Sequence, residues 1–454
     1  MSLRIVAGLS FGYLFPQKSL DEAMSLGADA IVAQGTSSDV GPTYYGSGKP
    51  HFPDRNIRTA LEMLLLAARR ADIPFVMSLG SAGSDVHLER VLRIVDEIAV
   101  DNGIRFKASV LHGEIEKNFV RSRLAAGVPI TRLVETEYLS ETLTDEDVDR
   151  SVAVLGQMGP EPIIEALGGD IDGVFTGRSL DSGLFMALPM MNGVDRGVAA
   201  HFGMVMACGA LAATPGSIDL LYGTIDNDGF VVAPPNPRLA CTPLSVAAHG
   251  LYEQPNPVLE NLPGGQLDLS DVRFEAVDER TVRVTGSRWI TRDPYTIKIE
   301  GVERLGSRSI CLAGVRDVNL IACLDDVFAD IRRKVEQRLG DIADSALVDF
   351  KVYGRDAVLR EWEPIEEPHP HEVGVVIDVV ARDQETASAV CGLARSELLL
   401  NDYPGRTSTS GNVAFPFSPH EVEMGDTYTF RIWHELPVED PVEPFRAEIR
   451  EFGG

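Results

Sequence analysis

The sequence predicts an α/β fold, with a mostly parallel N-terminal sheet flanked by helices and a C-terminal α+β portion. Short apolar runs alternate with helical patterns along the first third of the chain. Such alternation of strand and helix is typical of parallel βαβ units. Past about residue 215 prolines and glycines cluster, and the pattern changes. We expect an open sheet, and an incomplete barrel is the alternative.

Five strands are predicted in the N-terminal part, as apolar runs at 3–8, 28–35, 73–80, 105–113 and 170–177. Helices are predicted at 19–27, 56–72, 84–103 and around 145–168, where apolar residues recur at helical spacing. A helix rich in small residues follows at 197–213. Ser19 is expected to cap the first helix, with Glu22 at the capping-box position.

The remaining chain mixes strands and helices. Strands are predicted at 279–289 and 373–383, helices at 325–341 and 384–400, and a proline-rich acidic connector at 363–372. These changes predict three segments. They are an α/β domain at 1–215, a mixed α+β segment at 216–362 and an α+β segment at 363–454, which contains the loop Gly-Arg-Thr-Ser-Thr-Ser-Gly-Asn.

The charge balance narrows the range of partners. Lys and Arg number 41 against 68 Asp and Glu, a net charge of -27. Nucleic acids and anionic membranes bind basic surfaces, so neither is an expected partner. Five widely spaced cysteines without a Cys-x-x-Cys pair argue against a disulfide scaffold and a zinc knuckle. Without a signal-peptide pattern or an apolar stretch of about 18 residues, we expect a cytoplasmic protein.

Polar residues follow each of the five predicted strands. In chain order they are Ser10, Gln34 and Asp39, Ser81 and Asp85, His112 and Glu114, and Arg178 and Asp181. Ligands of parallel α/β sheets bind beyond the carboxyl ends of the strands, so this edge is the expected ligand site.

Several of these residues have two interpretations. Arg178 could bind a carboxylate or phosphate with Asp181 as an acid or base, or Asp181 could cap the following helix. His112 and Glu114 could form a proton-transfer pair. Ser10 lies in a Gly-x-Ser-x-Gly pattern, which is typical of a nucleophile elbow but also of a glycine-rich turn.

The loop near the C-terminus offers donors for an anion. Arg406, Ser408, Ser410 and Asn412 could form an anion-binding nest, or the loop could bind its own backbone. No dinucleotide fingerprint, P-loop or convincing metal-ligand set is present, so we expect no NAD, ATP or metal, and the cofactor stays open.

Several stretches together resemble the acyclic terpene utilisation (AtuA) family. They are the glycine-rich start at 8–12, VFTGRSLDSGLFMALP at 174–189, MACGA at 206–210 and ARSELLLNDYPGRTSTSGNVAFPFSP at 394–419. Ser81 stands where the family pattern has Asn. The resemblance implies a bacterial catabolic protein whose relatives accompany the breakdown of branched terpenoid acids and their CoA thioesters. Some relatives accompany a small partner protein.

We favour an enzyme, a lyase of the hydratase or dehydratase type, acting on a small carboxylate or its CoA thioester. The anionic substrate would be bound by Ser10, Arg178, Arg406, Ser408, Ser410 and Asn412, and protons would be moved by Asp181, His112 and Glu114. One alternative is a non-catalytic scaffold or regulatory subunit that works with a small partner protein. Another is a serine hydrolase acting through Ser10. The small-residue helix at 197–213 would suit a homo-oligomer.

Overall fold

Strands and helices alternate along the N-terminal part of the chain, as the sequence predicts. The computed structural model describes residues 2–134, 136, 139–251, 256–341, 345–366 and 368–454. One residue of the predicted connector, 367, lies outside these ranges. None of the helices in the described ranges combines the length and apolar character that crossing a bilayer requires.

The strands are β1 (Leu3–Leu9), β2 (Ala30–Gln34), β3 (Phe75–Ser78), β4 (Phe106–Leu111), β5 (Thr131–Arg132), β6 (Val154–Gly156), β7 (Gly173–Thr176), β8 (Leu221–Asp226), β9 (Gly229–Ala233), β10 (Leu259–Leu262), β11 (Gly265–Asp268), β12 (Arg273–Ala276), β13 (Val282–Thr285), β14 (Arg288–Thr291), β15 (Tyr295–Val315), β16 (Ala346–Tyr353), β17 (Val373–Ala381), β18 (Val413–Ala414), β19 (Glu421–Val438) and β20 (Ala447–Phe452).

The helices are α1 (Gln17–Ser25), α2 (Pro42–Ser47), α3 (Asp54–Ala71), α4 (Asp85–Asn102), α5 (Lys117–Ala125), α6 (Asp145–Arg150), α7 (Pro160–Leu167), α8 (Asp181–Met191), α9 (Arg196–Met206), α10 (Pro243–Leu251), α11 (Val318–Ala322), α12 (Leu324–Leu339) and α13 (Gln384–Leu400). Short 3-10 turns lie at Ser38–Val40, Gly209–Ala212 and Arg360–Trp362.

The described chain divides into two units, Met1–Val302 with Phe430–Gly454, and Glu303–Thr429. This division differs from the three predicted segments. The chain past residue 215 continues the first sheet, because β8 pairs antiparallel with β1 and β9 pairs with β8. The clustering of prolines and glycines past residue 215 therefore accompanies a change from parallel to antiparallel strands, and the folding unit does not end there.

A ten-stranded sheet forms the centre of the first unit. Its order is β12-β13-β9-β8-β1-β2-β3-β7-β4-β20. Neighbouring strands among the five predicted from the sequence, β1, β2, β3, β7 and β4, are parallel. The predicted α/β class and the parallel N-terminal sheet are thus confirmed, and the linear strand order is that of an open sheet.

Both faces of this sheet are buried. Ile5 and Ala7 of β1 pack into one hydrophobic cluster with α8 and α9, whereas Val6 packs into the opposite cluster with α3 and α4. Strands buried on both faces are apolar throughout, which is why they appear in the sequence as unbroken apolar runs. Each fully buried aliphatic side chain contributes roughly 1.5–3 kcal/mol relative to an exposed one.

Several local predictions were wrong. Helix α1 begins at Gln17, so Ser19 lies inside it and donates its hydroxyl to Asp219 Oδ2 at 3.1 Å. The predicted strand at 279–289 is broken into β13 and β14, because the chain turns at Gly286 with φ at +89°. The helix predicted at 197–213 ends at Met206.

The second unit confirms the α+β character of the C-terminal portion. Within it, β17 pairs antiparallel with β16 on one side and with β15 on the other. Residues on one face of these strands pack with α12 and α13 into a separate hydrophobic cluster. Phe328 of α12 stacks on Phe350 of β16, with ring centroids 4.2 Å apart.

Three glycines allow the loops after β3, β4 and β7 to meet. Arg178 N donates to Gly83 O at 2.9 Å, and Gly177 N donates to Leu111 O at 2.8 Å. A Cβ atom on either Gly83 or Gly113 would overlap the backbone nitrogen of Arg178. The spacing of these loops therefore depends on glycine at both positions.

Gly113→Ala should destabilise the protein by about 1–3 kcal/mol or more, because the added methyl group meets rigid backbone atoms. Urea unfolding would measure the change. Gly169→Ala is the control, since its Cβ would make only an ordinary contact of 3.5 Å with Ala166 O. Equal stability of the two variants would contradict this account of the loop packing.

Candidate active site

The carboxyl ends of β1 and β2 and the beginning of α8 enclose a pocket of about 370 Å³. Its lining residues are Leu9, Phe11, Tyr13, Gln34, Ser37, Asp39, Val40, His51, Asp181, Cys208, Leu211 and Ile218. Three of the residues that follow predicted strands, Gln34, Asp39 and Asp181, therefore face one cavity. The pocket is mainly apolar and carries two carboxylates and an imidazole.

Asp181 is the first residue of α8, where a carboxylate is favoured by the helix dipole. Arg178 Nη1 lies 3.3 Å from Asp181 Oδ1, and the Gln34 side chain also hydrogen-bonds to this carboxylate. Burial nevertheless raises the pKa of Asp181 to about 6, and the nearby carboxylate of Asp39 acts in the same direction. Asp181 can therefore both hold and release a proton near neutral pH.

A buried ion pair lies behind Asp181. The guanidinium of Arg178 is 1% exposed, and its Nε donates to Glu300 Oε2 at 3.1 Å, while Glu300 is fully buried. Tyr45 Oη donates to the same oxygen at 2.6 Å, and Lys298 Nζ lies 2.9 Å from Glu300 Oε1. Although burial alone would raise it, the pKa of Glu300 falls to about 2 because of Arg178 and Lys298.

This geometry changes the role expected for Arg178. Its Nη1 donates to Ser179 O at 2.6 Å and lies 3.4 Å from Thr36 O, so every nitrogen of the guanidinium has a protein acceptor. A side chain this buried presents no donor to a substrate anion. Arg178 instead fixes the carboxylate of Asp181 from behind.

His51 was not found from the sequence. It lies in the loop between α2 and α3, lines the pocket, and contacts the rings of Tyr44 and Phe52 edge-on. Its Nδ1 is buried and has no hydrogen-bond partner among the described residues. Burial lowers the pKa of His51, so the ring is neutral near pH 7 and one of its two nitrogens can accept a proton. The only signal in the sequence was a histidine shortly before a predicted helix.

Ser10 does not face the pocket, although its neighbours Leu9 and Phe11 do. Its hydroxyl is 2% exposed and donates to Ser78 O at 2.7 Å. The hydroxyl therefore ties β1 to the end of β3, and the glycine-rich turn is the interpretation that fits the geometry. Both the substrate-binding role expected for Ser10 and a nucleophilic role would need an exposed hydroxyl oxygen, and this one is buried.

His112 and Glu114 lie at the end of β4, outside the residues that line the pocket. His112 Nδ1 lies 2.7 Å from Asp85 Oδ1 and 2.8 Å from Arg446 Nη2. Burial opposes protonation, but the bond with Asp85 outweighs it and raises the pKa of His112. Glu114 accepts a bond from Asp85 N at 3.1 Å, so Asp85 connects the two predicted residues.

The same cluster contains a set of potential metal ligands. Ligand atoms of Glu89, His112 and Glu448 all lie within 4.8 Å of one another. Arg450 donates to Glu89 Oε2 at 2.8 Å and to Glu448 Oε1 at 2.7 Å. Both carboxylates therefore already accept hydrogen bonds from one guanidinium, which favours a structural role for the cluster.

The C-terminal loop belongs to the second unit. Arg406 donates to the backbone carbonyls of Leu400, Ser408 and Thr409. Ser408 donates to Ser410 O, and Asn412 Nδ2 lies 3.5 Å from Ser408 O. These donors close the loop on its own backbone, as the alternative interpretation expected, and the guanidinium of Arg406 is used within the loop.

Glu300→Gln should destabilise the first unit by about 3–5 kcal/mol, because it removes the fully buried counter-ion of the Arg178 guanidinium. Denaturant unfolding would measure the loss. Asp149→Asn is the control, since Asp149 is 65% exposed in its pair with Arg121 and should change stability by at most about 1 kcal/mol. Similar losses in both variants would reject a special role for the buried pair.

The stability of Asp181→Asn relative to wild type should be greater at high pH than at low pH. The folded-state pKa of about 6 exceeds the ordinary value of 3.8, so between these two pH values the folded chain binds more protons than the unfolded chain. The stability that Asp181 contributes is complete below pH 4 and is lost as the pH rises through 6. The midpoint difference between variant and wild type should grow from pH 5 to pH 8, whereas Asp149→Asn should show a flat difference. A flat difference for Asp181→Asn would refute the raised pKa.

A family model described as acyclic terpene utilisation family protein AtuA matches residues 222–423. Comparisons with curated proteins and with solved structures gave no significant match. The matched residues include the C-terminal signature but not the pocket around Asp181. The family match supports a role in acyclic terpene utilisation. Over residues 222–423, the match confirms the resemblance to the acyclic terpene utilisation family that is seen in the sequence.

Proposed function

We propose that this protein is a lyase that adds water to, or removes it from, a branched acyclic chain bearing a carboxylate or its thioester. The observation that carries this proposal is a carboxyl group with a pKa of about 6 in a mostly apolar pocket that a neutral imidazole also lines. Hydration of a carbon–carbon double bond needs a proton donor and a base, and these two groups supply both.

In the hydration direction, the protonated carboxyl of Asp181 gives its proton to one carbon of the double bond. A water oxygen forms a bond to the other carbon as the π bond breaks. The imidazole of His51 takes the proton that this water loses. The imidazolium then returns a proton to Asp181 through solvent, so the product is the substrate plus one water. Dehydration is the same sequence in reverse.

Arg178 and Glu300 are positioning residues in this mechanism. The guanidinium stabilises the Asp181 carboxylate after it has lost its proton, and Glu300 holds the guanidinium in place. Because Arg178 is itself neutralised by Glu300, it does not stabilise the carboxylate fully, and a proton can return. This balance supports a carboxyl group that cycles between both states.

The lining of the pocket indicates which end of the substrate enters it. No lysine or arginine occurs among the described residues that line it, and Asp39 and Asp181 would repel a carboxylate. Apolar side chains, Leu9, Phe11 and Val40 among them, suit the hydrocarbon part instead. We therefore place the branched hydrocarbon end in the pocket and the anionic end outside it.

A second cavity gives room for a long chain. It has a volume of about 600 Å³ and shares Cys208 and Leu211 with the first. Its other lining residues are Ala213, Thr214, Gly216, Thr242, Leu244, Ser245, Ala248 and His249. Because two residues line both cavities, an extended substrate could pass from one to the other along Leu211.

The test is turnover of branched, unsaturated acyclic acids and their CoA thioesters in D₂O, followed by mass spectrometry. Hydration would incorporate solvent deuterium and oxygen into the product. Asp181→Asn and His51→Gln should each lower the rate by about 100-fold or more, since each removes a proton-transfer group. Asp149→Asn, an exposed substitution outside the pocket, should keep the wild-type rate.

The outcomes of this test distinguish hydration chemistry, a regulatory-subunit function and simple proton exchange. Turnover that is unaffected by Asp181→Asn would reject the assigned chemistry. Turnover that appears only after a small partner protein is added, and that survives both pocket substitutions, would favour the regulatory-subunit function. Incorporation of deuterium without a gain of water would indicate proton exchange in place of hydration.

A further inference from the structure

A third pocket, with a different character, lies between α3 and α4. Its volume is about 350 Å³, and it is lined by Asp54, Arg55, Arg58, Arg90, Arg93, Ile94 and Glu97. Four of these seven residues are arginines, in a chain whose net charge is -27. The local sign of charge is therefore the reverse of the average over the molecule.

The arginines come in two pairs at helical spacing. Arg55 and Arg58 lie three residues apart on α3, and Arg90 and Arg93 lie three residues apart on α4. Side chains at this spacing share one face of a helix, so each helix presents two guanidinium groups to the cavity.

Two of the four arginines form ion pairs, and the other two do not. Arg90 donates from Nε and Nη2 to both carboxylate oxygens of Asp54, at 3.0 and 2.8 Å, which joins the two helices. Arg58 Nη2 donates to Asp101 Oδ2 at 2.6 Å. Arg55 and Arg93 are exposed and make no ion pair with any residue in the described ranges. Two guanidinium groups thus remain available beside two that are fixed.

We propose that this arginine pocket binds a phosphoryl anion, either free or carried on a nucleotide. A phosphate offers three oxygens and up to two negative charges, and guanidinium groups bind such oxygens in pairs. Four arginines against the carboxylates of Asp54, Glu97 and Asp101 leave an excess of one positive charge, which would attract a phosphoryl group. None of these residues lines the pocket of Asp181, so the proposal does not depend on the proposed hydration chemistry.

Isothermal titration with pyrophosphate, adenosine 3′,5′-bisphosphate and uncharged adenosine tests the site on the whole protein. The variant is Arg55→Ala with Arg93→Ala, two exposed substitutions that break no ion pair among the described residues. We expect binding of at least one phosphorylated probe, no binding of adenosine, and a dissociation constant at least about 10-fold higher in the double variant. Arg70→Ala is the matched control, an exposed arginine at the far end of α3, and should bind like wild type.

The outcomes separate the two sources of the anion. Tighter binding of the bisphosphate than of pyrophosphate would identify a phosphorylated nucleotide, and equal binding would identify the free anion. No binding of either phosphorylated probe at millimolar concentration would overturn the proposal. So would an equal loss of affinity in the double variant and in Arg70→Ala, because it would reveal general attraction to surface charge and no defined site.

Discussion

The ion pair between Arg178 and Glu300 is the interaction on which the candidate site depends. A guanidinium and a carboxylate removed from water lose several kcal/mol of hydration each, and only close pairing with full hydrogen bonding offsets that loss. Here Glu300 accepts bonds from Arg178 and Tyr45 and lies beside Lys298. The pair fixes the turn after β7, and with it the beginning of α8 and the carboxylate of Asp181.

One guanidinium thus serves two carboxylates with opposite results. Glu300 is held ionised, with a pKa of about 2, whereas Asp181 keeps a pKa of about 6. The difference follows from the number of partners, since Glu300 has two cations and a tyrosine hydroxyl, and Asp181 has one shared cation and a nearby acid. Environments that push the pKa values of two neighbouring acids apart are a common basis for proton transfer in enzymes.

The sequence predicted what depends on neighbours along the chain and missed what depends on distant partners. The apolar runs located the five parallel strands, and their order explains why Gln34, Asp39 and Asp181 meet. Glu300, in contrast, reaches Arg178 from 122 positions later in the chain, and no local pattern announces such a contact. The same limit explains Ser19, whose hydroxyl binds Asp219 instead of capping its helix. Likewise, His51 can be recognised as a candidate site residue only from the pocket that it lines.

The glycines at the ends of β3, β4 and β7 bear on how substitutions in this protein should be interpreted. Gly83 and Gly113 contact the backbone of Arg178 so closely that no side chain fits, yet neither residue lines the pocket. In a saturation mutagenesis screen both positions would accept glycine alone, a tolerance profile usually taken as the mark of a residue that touches substrate. Here, however, a substitution would lower activity because the added side chain pushes the loops apart. Only a measurement of protein abundance alongside activity separates the two causes.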